Sequence, residues 1–86
     1  MMQLLAHYRI SSGYDRFKSA FDADAEDRGH NSLSVLQLWR EDDSNIWALY
    51  DVADAAAARA YLNGAADVFN SQAGVMATDF HFVETA

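Results

Sequence analysis

Two periods run along this chain. From Gln3 to Ile10 the side chains alternate. Leu4, Ala6, Tyr8 and Ile10 fall on one side, and Gln3, Leu5, His7 and Arg9 on the other. That is the two-residue repeat of a strand. From Tyr14 to about Arg28 the repeat becomes helical, with Phe17, Ala20, Phe21, Asp24, Ala25 and Arg28 on one stripe. Ser11 or Ser12 is the expected N-cap, and Gly29 the expected positive-φ stop. The acidic residues Asp22, Asp24, Glu26 and Asp27 read as a solvated face. They lack the glycine and the closing glutamate that a calcium loop needs.

After a connector over His30–Leu33 comes the stretch from Ser32 to Asp54, two strands around the turn formers Asp42, Asp43, Ser44 and Asn45. Both faces of this hairpin are apolar. One carries Leu36, Leu38, Ala48, Tyr50 and Val52; the other carries Val35, Gln37, Trp39, Trp47, Leu49 and Asp51. A sheet with one side in water should alternate apolar with polar, so this ribbon must be covered twice. Asp54 is the expected N-cap of an alanine-rich helix, DAAAARAYL, which Asn63-Gly64 interrupts. A second helical piece over about Ala65–Gln72 carries Val68 and Phe69 and ends at Ala73-Gly74. The last strand is Val75–Val83, with Thr78, Phe80 and Phe82 alternating against Asp79, His81 and Val83.

Strand–helix–strand thus occurs twice. Two such units with right-handed crossovers interlock into a four-stranded antiparallel sheet, order 4-1-3-2, with helices on one face: a ferredoxin-like βαββαβ, α+β fold. The face turned to the helices collects Leu4, Ala6, Tyr8, Ile10, Leu36, Leu38, Ala48, Tyr50, Val52, Phe80 and Phe82. Phe17, Phe21, Tyr61, Leu62 and Phe69 meet it from the helices. Tyr8 and Tyr50 need hydroxyl partners there and could line a pocket beneath the helices. The other face holds Gln3, Leu5, His7, Arg9, Gln37, Trp39, Trp47, Leu49, Asp51, Asp79, His81 and Val83. It is too aromatic to face water and too polar for a dry core. A second copy packed against it would enclose a partly wet cavity.

Composition narrows the partners. Eighty-six residues make one domain with a small core. No cysteine is present, so neither a disulfide nor a Cys-based zinc site braces it. Hydrophobic residues make up 51 % of the chain and aromatics 13 %, more than a small monomer easily hides. A net charge of −7 repels phosphate backbones, which disfavours nucleic acid and anionic membranes. The N-terminal residues lack the basic and apolar regions of a signal peptide, and no apolar run reaches a membrane span. A soluble cytoplasmic homodimer is the expectation.

His7 and His81 are the candidate catalytic residues. Their strands are expected to be neighbours, where opposed side chains sit about 4.5–5.5 Å apart at Cβ. Two imidazoles there could share a proton, hold a ligand carboxylate, or act as a general base. With Asp79 or Asp51 they approach a two-histidine, one-carboxylate set, but no local motif supports a metal, and none is expected. Arg9, Gln37, Trp39, Trp47 and Asp51 are the candidate ligand-binding residues: indoles as walls, Arg9 and Gln37 as orienters, and Arg9 alternatively as a partner of Asp51 or Asp79.

The element order and length resemble the dimeric α+β barrel superfamily, which includes antibiotic-biosynthesis-type monooxygenases and stress-responsive α/β-barrel proteins. The early strand histidine, His7 in LLAHYRI, and the strand–Asp–Ala-rich helix YDVADAAAARAYL carry the resemblance. It implies a ligand inside the barrel or between sheet and helices, and cofactor-free oxygenase, isomerase or lyase chemistry. Asp54–Gln72 holds no histidine, so no heme-iron ligand is carried over, and no cofactor is expected. A non-catalytic dimer, structural or ligand-holding, is the alternative.

Overall fold

The computed structural model describes residues 2–64 and 66–86. Its elements are β1 (Met2–Ile10), α1 (Tyr14–Ala23), α2 (Ala25–His30), β2 (Leu33–Arg40), β3 (Asn45–Val52), α3 (Ala55–Asn63), α4 (Ala66–Ala73) and β4 (Val75–Glu84). The expected helix start at Ala65 lies outside the described residues. All strand pairs are antiparallel and the order is β2-β3-β1-β4, the expected 4-1-3-2 read from the other edge. The fold is ferredoxin-like α+β.

One face of the sheet is buried under the helices. Leu4, Ala6, Tyr8 and Ile10 of β1 and Ala48, Tyr50 and Val52 of β3 form the floor, with Ile46 and Leu33 beside them. Phe17, Phe21, Tyr61 and Phe69 close the core from above. Their rings interlock: Phe17 lies 5.5 Å from Phe21 and 5.9 Å from Phe69. Leu38, Phe80 and Phe82 pack against the margin.

The structure corrects five expectations. The first helix is broken at Asp24 (φ −89°, ψ 0°) and resumes as α2. Aspartate leaves helical geometry readily because its side chain can serve other partners. Asp24 has turned inward and is not part of a solvated acidic face. Gly29 is not the stop, since α2 runs through it to His30 and the left-handed residue is Ser32 (φ 70°). Neither Ser11 nor Ser12 caps α1, whose N-cap is Gly13. Their hydroxyls donate instead to Gly74 O (3.3 Å) and Ala73 O (2.9 Å), carbonyls that the end of α4 leaves without helical donors. Finally, Leu36 does not face the helices. A β-bulge between Val35 and Gln37 makes it an extra residue, 51 % exposed. The bulge inverts the alternation, so Val35 pairs with Tyr50 on the helix side and Leu33 joins the core. Part of the hairpin's doubly apolar look is this phase change.

Other local signals act as expected. Asp54 accepts from Ala56 N (3.0 Å) and Ala57 N (3.2 Å). Asp42 holds the turn by accepting from Ser44 N (2.8 Å) and Asn45 Nδ2 (3.0 Å), and these donors keep its carboxyl below the usual range. No described helix is long and apolar enough to cross a membrane.

Gly74 has φ 71°, and a Cβ there would meet the Ser12 side chain at 2.2 Å. Gly74→Ala is expected to lower stability by roughly 1–3 kcal/mol, from the left-handed backbone and the lost loop-to-loop hydrogen bonds. Urea denaturation followed by circular dichroism measures it.

Candidate functional site

Beneath the helices the apolar core is interrupted by a compact polar cluster. Tyr8 and Tyr50, from neighbouring strands, meet hydroxyl to hydroxyl at 2.7 Å. From the α1–α2 junction Asp24 reaches in, and Tyr61 of α3 donates to its Oδ2 at 2.5 Å. Arg28, one helical turn beyond Asp24, has Nη1 3.6 Å from the same oxygen. Its guanidinium lies 3.8 Å over the Phe21 ring, a cation–π contact in a desolvated setting. The Nε and Nη1 atoms of Arg28 are buried and have no hydrogen-bond acceptor.

These groups line a cleft whose remaining wall is Leu33, Leu62, Ala66, Phe69, Asn70 and Phe80. It encloses about 280 Å³ of empty space, part of it open to solvent. The space within it that a water-sized group can occupy amounts to about one water molecule. An apolar cleft with a few convergent polar groups is the usual form of a small-molecule site.

Burial sets the electrostatics. Tyr8 is pushed up to about 12, by desolvation above all. Desolvation also raises Tyr50 well above the ordinary tyrosine value, reinforced by the adjoining Tyr8. Tyr61 is raised by desolvation and then by its hydrogen bond to the Asp24 carboxylate. All three therefore stay neutral O–H groups well into the alkaline range. The Tyr8–Tyr50 pair uses only one of its two hydroxyl hydrogens internally. No further hydrogen-bond partner of either hydroxyl occurs among the described residues.

Strand alternation had already placed Tyr8 and Tyr50 on this side. Asp24, Arg28 and Tyr61 were not recognised as a site. The available signal was the i,i+4 pair Asp24–Arg28 on the same stripe as Phe17 and Phe21, where a surface pair would not be.

The opposite face of the sheet forms three rungs across β2, β3, β1 and β4. Trp39, Trp47, His7 and Asp79 make the first; Gln37, Leu49, Leu5 and His81 the second; Ser34, Asp51, Gln3 and Val83 the third. The two candidate catalytic histidines are therefore diagonal rather than opposed, about 7–8 Å apart by strand geometry. His7 stacks on Trp47 (ring centroids 4.1 Å), its Nε2 is 2.9 Å from Asn45 Oδ1, and its Nδ1 is 3.8 Å from Asp79 Oδ2. His81 is exposed on β4. Trp39 and Trp47 pair across the hairpin, and Trp47 Nε1 donates to Glu41 Oε1 at 2.7 Å. Gln37 bends back to accept from Leu38 N (3.0 Å). Arg9 stands opposite Asn45 and Ala77 rather than either aspartate. Asp51 Oδ1 is buried without a donor. Among the described residues no three His, Asp or Glu side chains are grouped to hold a metal ion.

The raised tyrosines link stability to alkali. Tyr8 has a folded pKa above its unfolded value, so its contribution is intact below about pH 10 and falls as pH rises towards 12. Alkaline titration is expected to show cooperative unfolding in that window, by circular dichroism, together with a late step in tyrosinate absorbance. Tyr8→Phe should blunt the pH dependence.

No family model matches this chain, and no curated protein sequence matches it. Solved structures do. The cofactor-independent oxygenase SnoaB from Streptomyces nogalater superposes with a TM-score of 0.73 at 12 % identity, covering 99 % of this chain and 92 % of that one. An uncharacterised NIPSNAP domain protein from Burkholderia xenovorans gives 0.68 at 14 % identity, over 100 % and 95 %. A candidate antibiotic biosynthesis monooxygenase from Nitrosomonas europaea gives 0.65 at 12 % identity, over 99 % and 98 %. At such identities the likeness concerns the backbone: this chain has the ferredoxin-like α+β fold of the antibiotic-biosynthesis monooxygenase and NIPSNAP proteins.

Proposed function

We propose that this chain binds a small apolar or aromatic molecule in the cleft between helices and sheet and moves a proton on it, the chemistry of a cofactor-independent monooxygenase or isomerase. The observation that carries this reading is the buried Tyr8–Tyr50 hydroxyl pair, which has one hydrogen more than its mutual bond uses, in a largely apolar cleft beside the Asp24–Tyr61 pair. A ligand carbonyl accepting that hydrogen is polarised. Asp24, withdrawn from water and held by Tyr61, then serves as the base for an acidic C–H or O–H next to the carbonyl. The shared fold with a cofactor-independent oxygenase supports the same reading. The cleft must widen for any ligand larger than water, and the α1–α2 break at Asp24 and the α3–α4 break after Asn63 are where the helical layer can give.

β-Tetralone, a small aromatic ketone with acidic α-hydrogens, is the probe. Wild-type protein is expected to bind it with shifts of the Tyr61 and Phe69 ring resonances and to speed its α-deuteration in D2O. Asp24→Asn should reduce that exchange by about 100-fold or more. Binding without faster exchange favours the ligand-holding alternative. Shifts confined to His7 and Trp47 would place the ligand on the other face and sink the cleft reading.

The exposed sheet face supports a homodimer. Trp39 is 45 % and Val83 42 % exposed on a face that also holds Trp47, Leu5 and Leu49, with the donorless Asp51 oxygen among them. A second copy laid over it closes an α+β barrel, whose lining is Arg9, Gln37, Trp39, Trp47 and Asp51 with His7 and His81. Native mass spectrometry should show a dimer at micromolar concentration. Trp39→Glu, which buries an unpaired charge in that interface, should leave a folded monomer.

A further inference from the structure

Arg28 is 5 % exposed, the one buried charged side chain among the described residues. A buried guanidinium is normally retained only with its donors matched to acceptors. Arg28 is half matched. Asp24 Oδ2 at 3.6 Å gives Coulombic attraction but is too far for a hydrogen bond, and that oxygen already accepts from Tyr61. Phe21 covers one face of the guanidinium, which favours the charge but offers no oxygen acceptor in the guanidinium plane. Nε and Nη1 are left out of water with no acceptor at all, and Arg28 is part of the cleft wall.

We infer that the molecule bound in this cleft is an acid: a planar carboxylate seats against Arg28, and the apolar or aromatic body lies along Phe69 and Phe80. This inference rests on the cleft being the binding site, and it names the class of molecule the cleft takes. A carboxylate suits the site better than a phosphate. Its two coplanar oxygens match the guanidinium plane, and its single charge is easier to place near Asp24 than a phosphate's larger one. Arg28 then bridges two carboxylates, one from the protein and one from the ligand, which its five N–H donors allow. Tyr61 keeps Asp24 occupied from the other side, so the two carboxylates do not compete for one hydrogen.

α-Naphthoate and α-naphthamide have nearly the same shape and differ in charge, so their affinity ratio, measured by titration calorimetry at neutral pH, reads the contribution of Arg28. Wild-type protein is expected to bind the naphthoate about 10- to 100-fold more tightly. The preference should fall to near unity in Arg28→Met and survive in part in Arg28→Lys, with folding of each variant checked by circular dichroism. The wild-type ratio and the lysine variant keep the test decisive should the methionine variant fail to fold. Equal binding of the two probes overturns the acid assignment and leaves the cleft reading standing. A naphthoate preference unchanged in the variants overturns the role of Arg28. Failure of both probes to shift the Tyr61 and Phe69 resonances overturns the cleft reading and the inference together.

Discussion

The helical layer depends on the carboxylate of Asp24. It ends α1, accepts the hydroxyl of Tyr61 from α3 and stands next to Arg28 of α2. Three helices, two consecutive in the chain and the third some distance on, thus meet at one residue. In water such a contact would contribute little. Here the group is only 15 % exposed, where a lost partner leaves a desolvated charge and the coupling is correspondingly strong. Across the α1–α2 junction Asp24 N still donates to Ala20 O (3.1 Å) and Asp24 O still accepts from Arg28 N (3.1 Å), so the backbone ladder continues through the residue whose side chain turns inward.

The sheet beneath is an asymmetric platform. The centre of its helix side is apolar apart from Tyr8 and Tyr50, whose hydroxyls bond to each other, and Thr78, Arg40 and Glu84 stand at the margin of that side. Its other side is built in rungs that pair indole with imidazole and leucine with leucine. The same strands thus supply donors to the cleft on one side and a mixed aromatic and polar surface on the other. That division is what a small fold needs if it is to hold a ligand and meet a second copy without either surface intruding on the other.

Much of this was legible in the residue pattern. The two periods located every strand and the order of the sheet, and Asp54 and the Asp42 turn announced themselves because capping and turn chemistry is local. The errors came where a distant contact outweighed a local preference. Ser11 and Ser12 look like N-caps, but the carbonyls at the end of α4 claim their hydroxyls. Gly29 looks like a stop, yet nothing in its surroundings requires a positive φ. Leu36 looks like a core residue because a bulge cannot be seen in an unbroken apolar run. The His7–His81 pair illustrates the limit of alternation: it assigns a face but not a rung, and the rung decides whether two imidazoles touch.

What the amino-acid order determined by itself is the succession of strands and helical segments, the sheet order and, outside the bulge at Val35 and Leu36, the side of the sheet on which the strand residues stand, because these follow from short-range periodicity and the handedness of crossovers. The tertiary structure alone decided which polar residues meet. Asp24 lies at the α1–α2 junction, Arg28 in α2 and Tyr61 in α3, and Tyr8 and Tyr50 in two strands, and their meeting depends on how the helical layer packs on the sheet. Periodicity reports how often a side chain returns to a face. It carries no information on how deeply that face is buried or what waits across it, and burial is what turns an ordinary aspartate, arginine and three tyrosines into a candidate site.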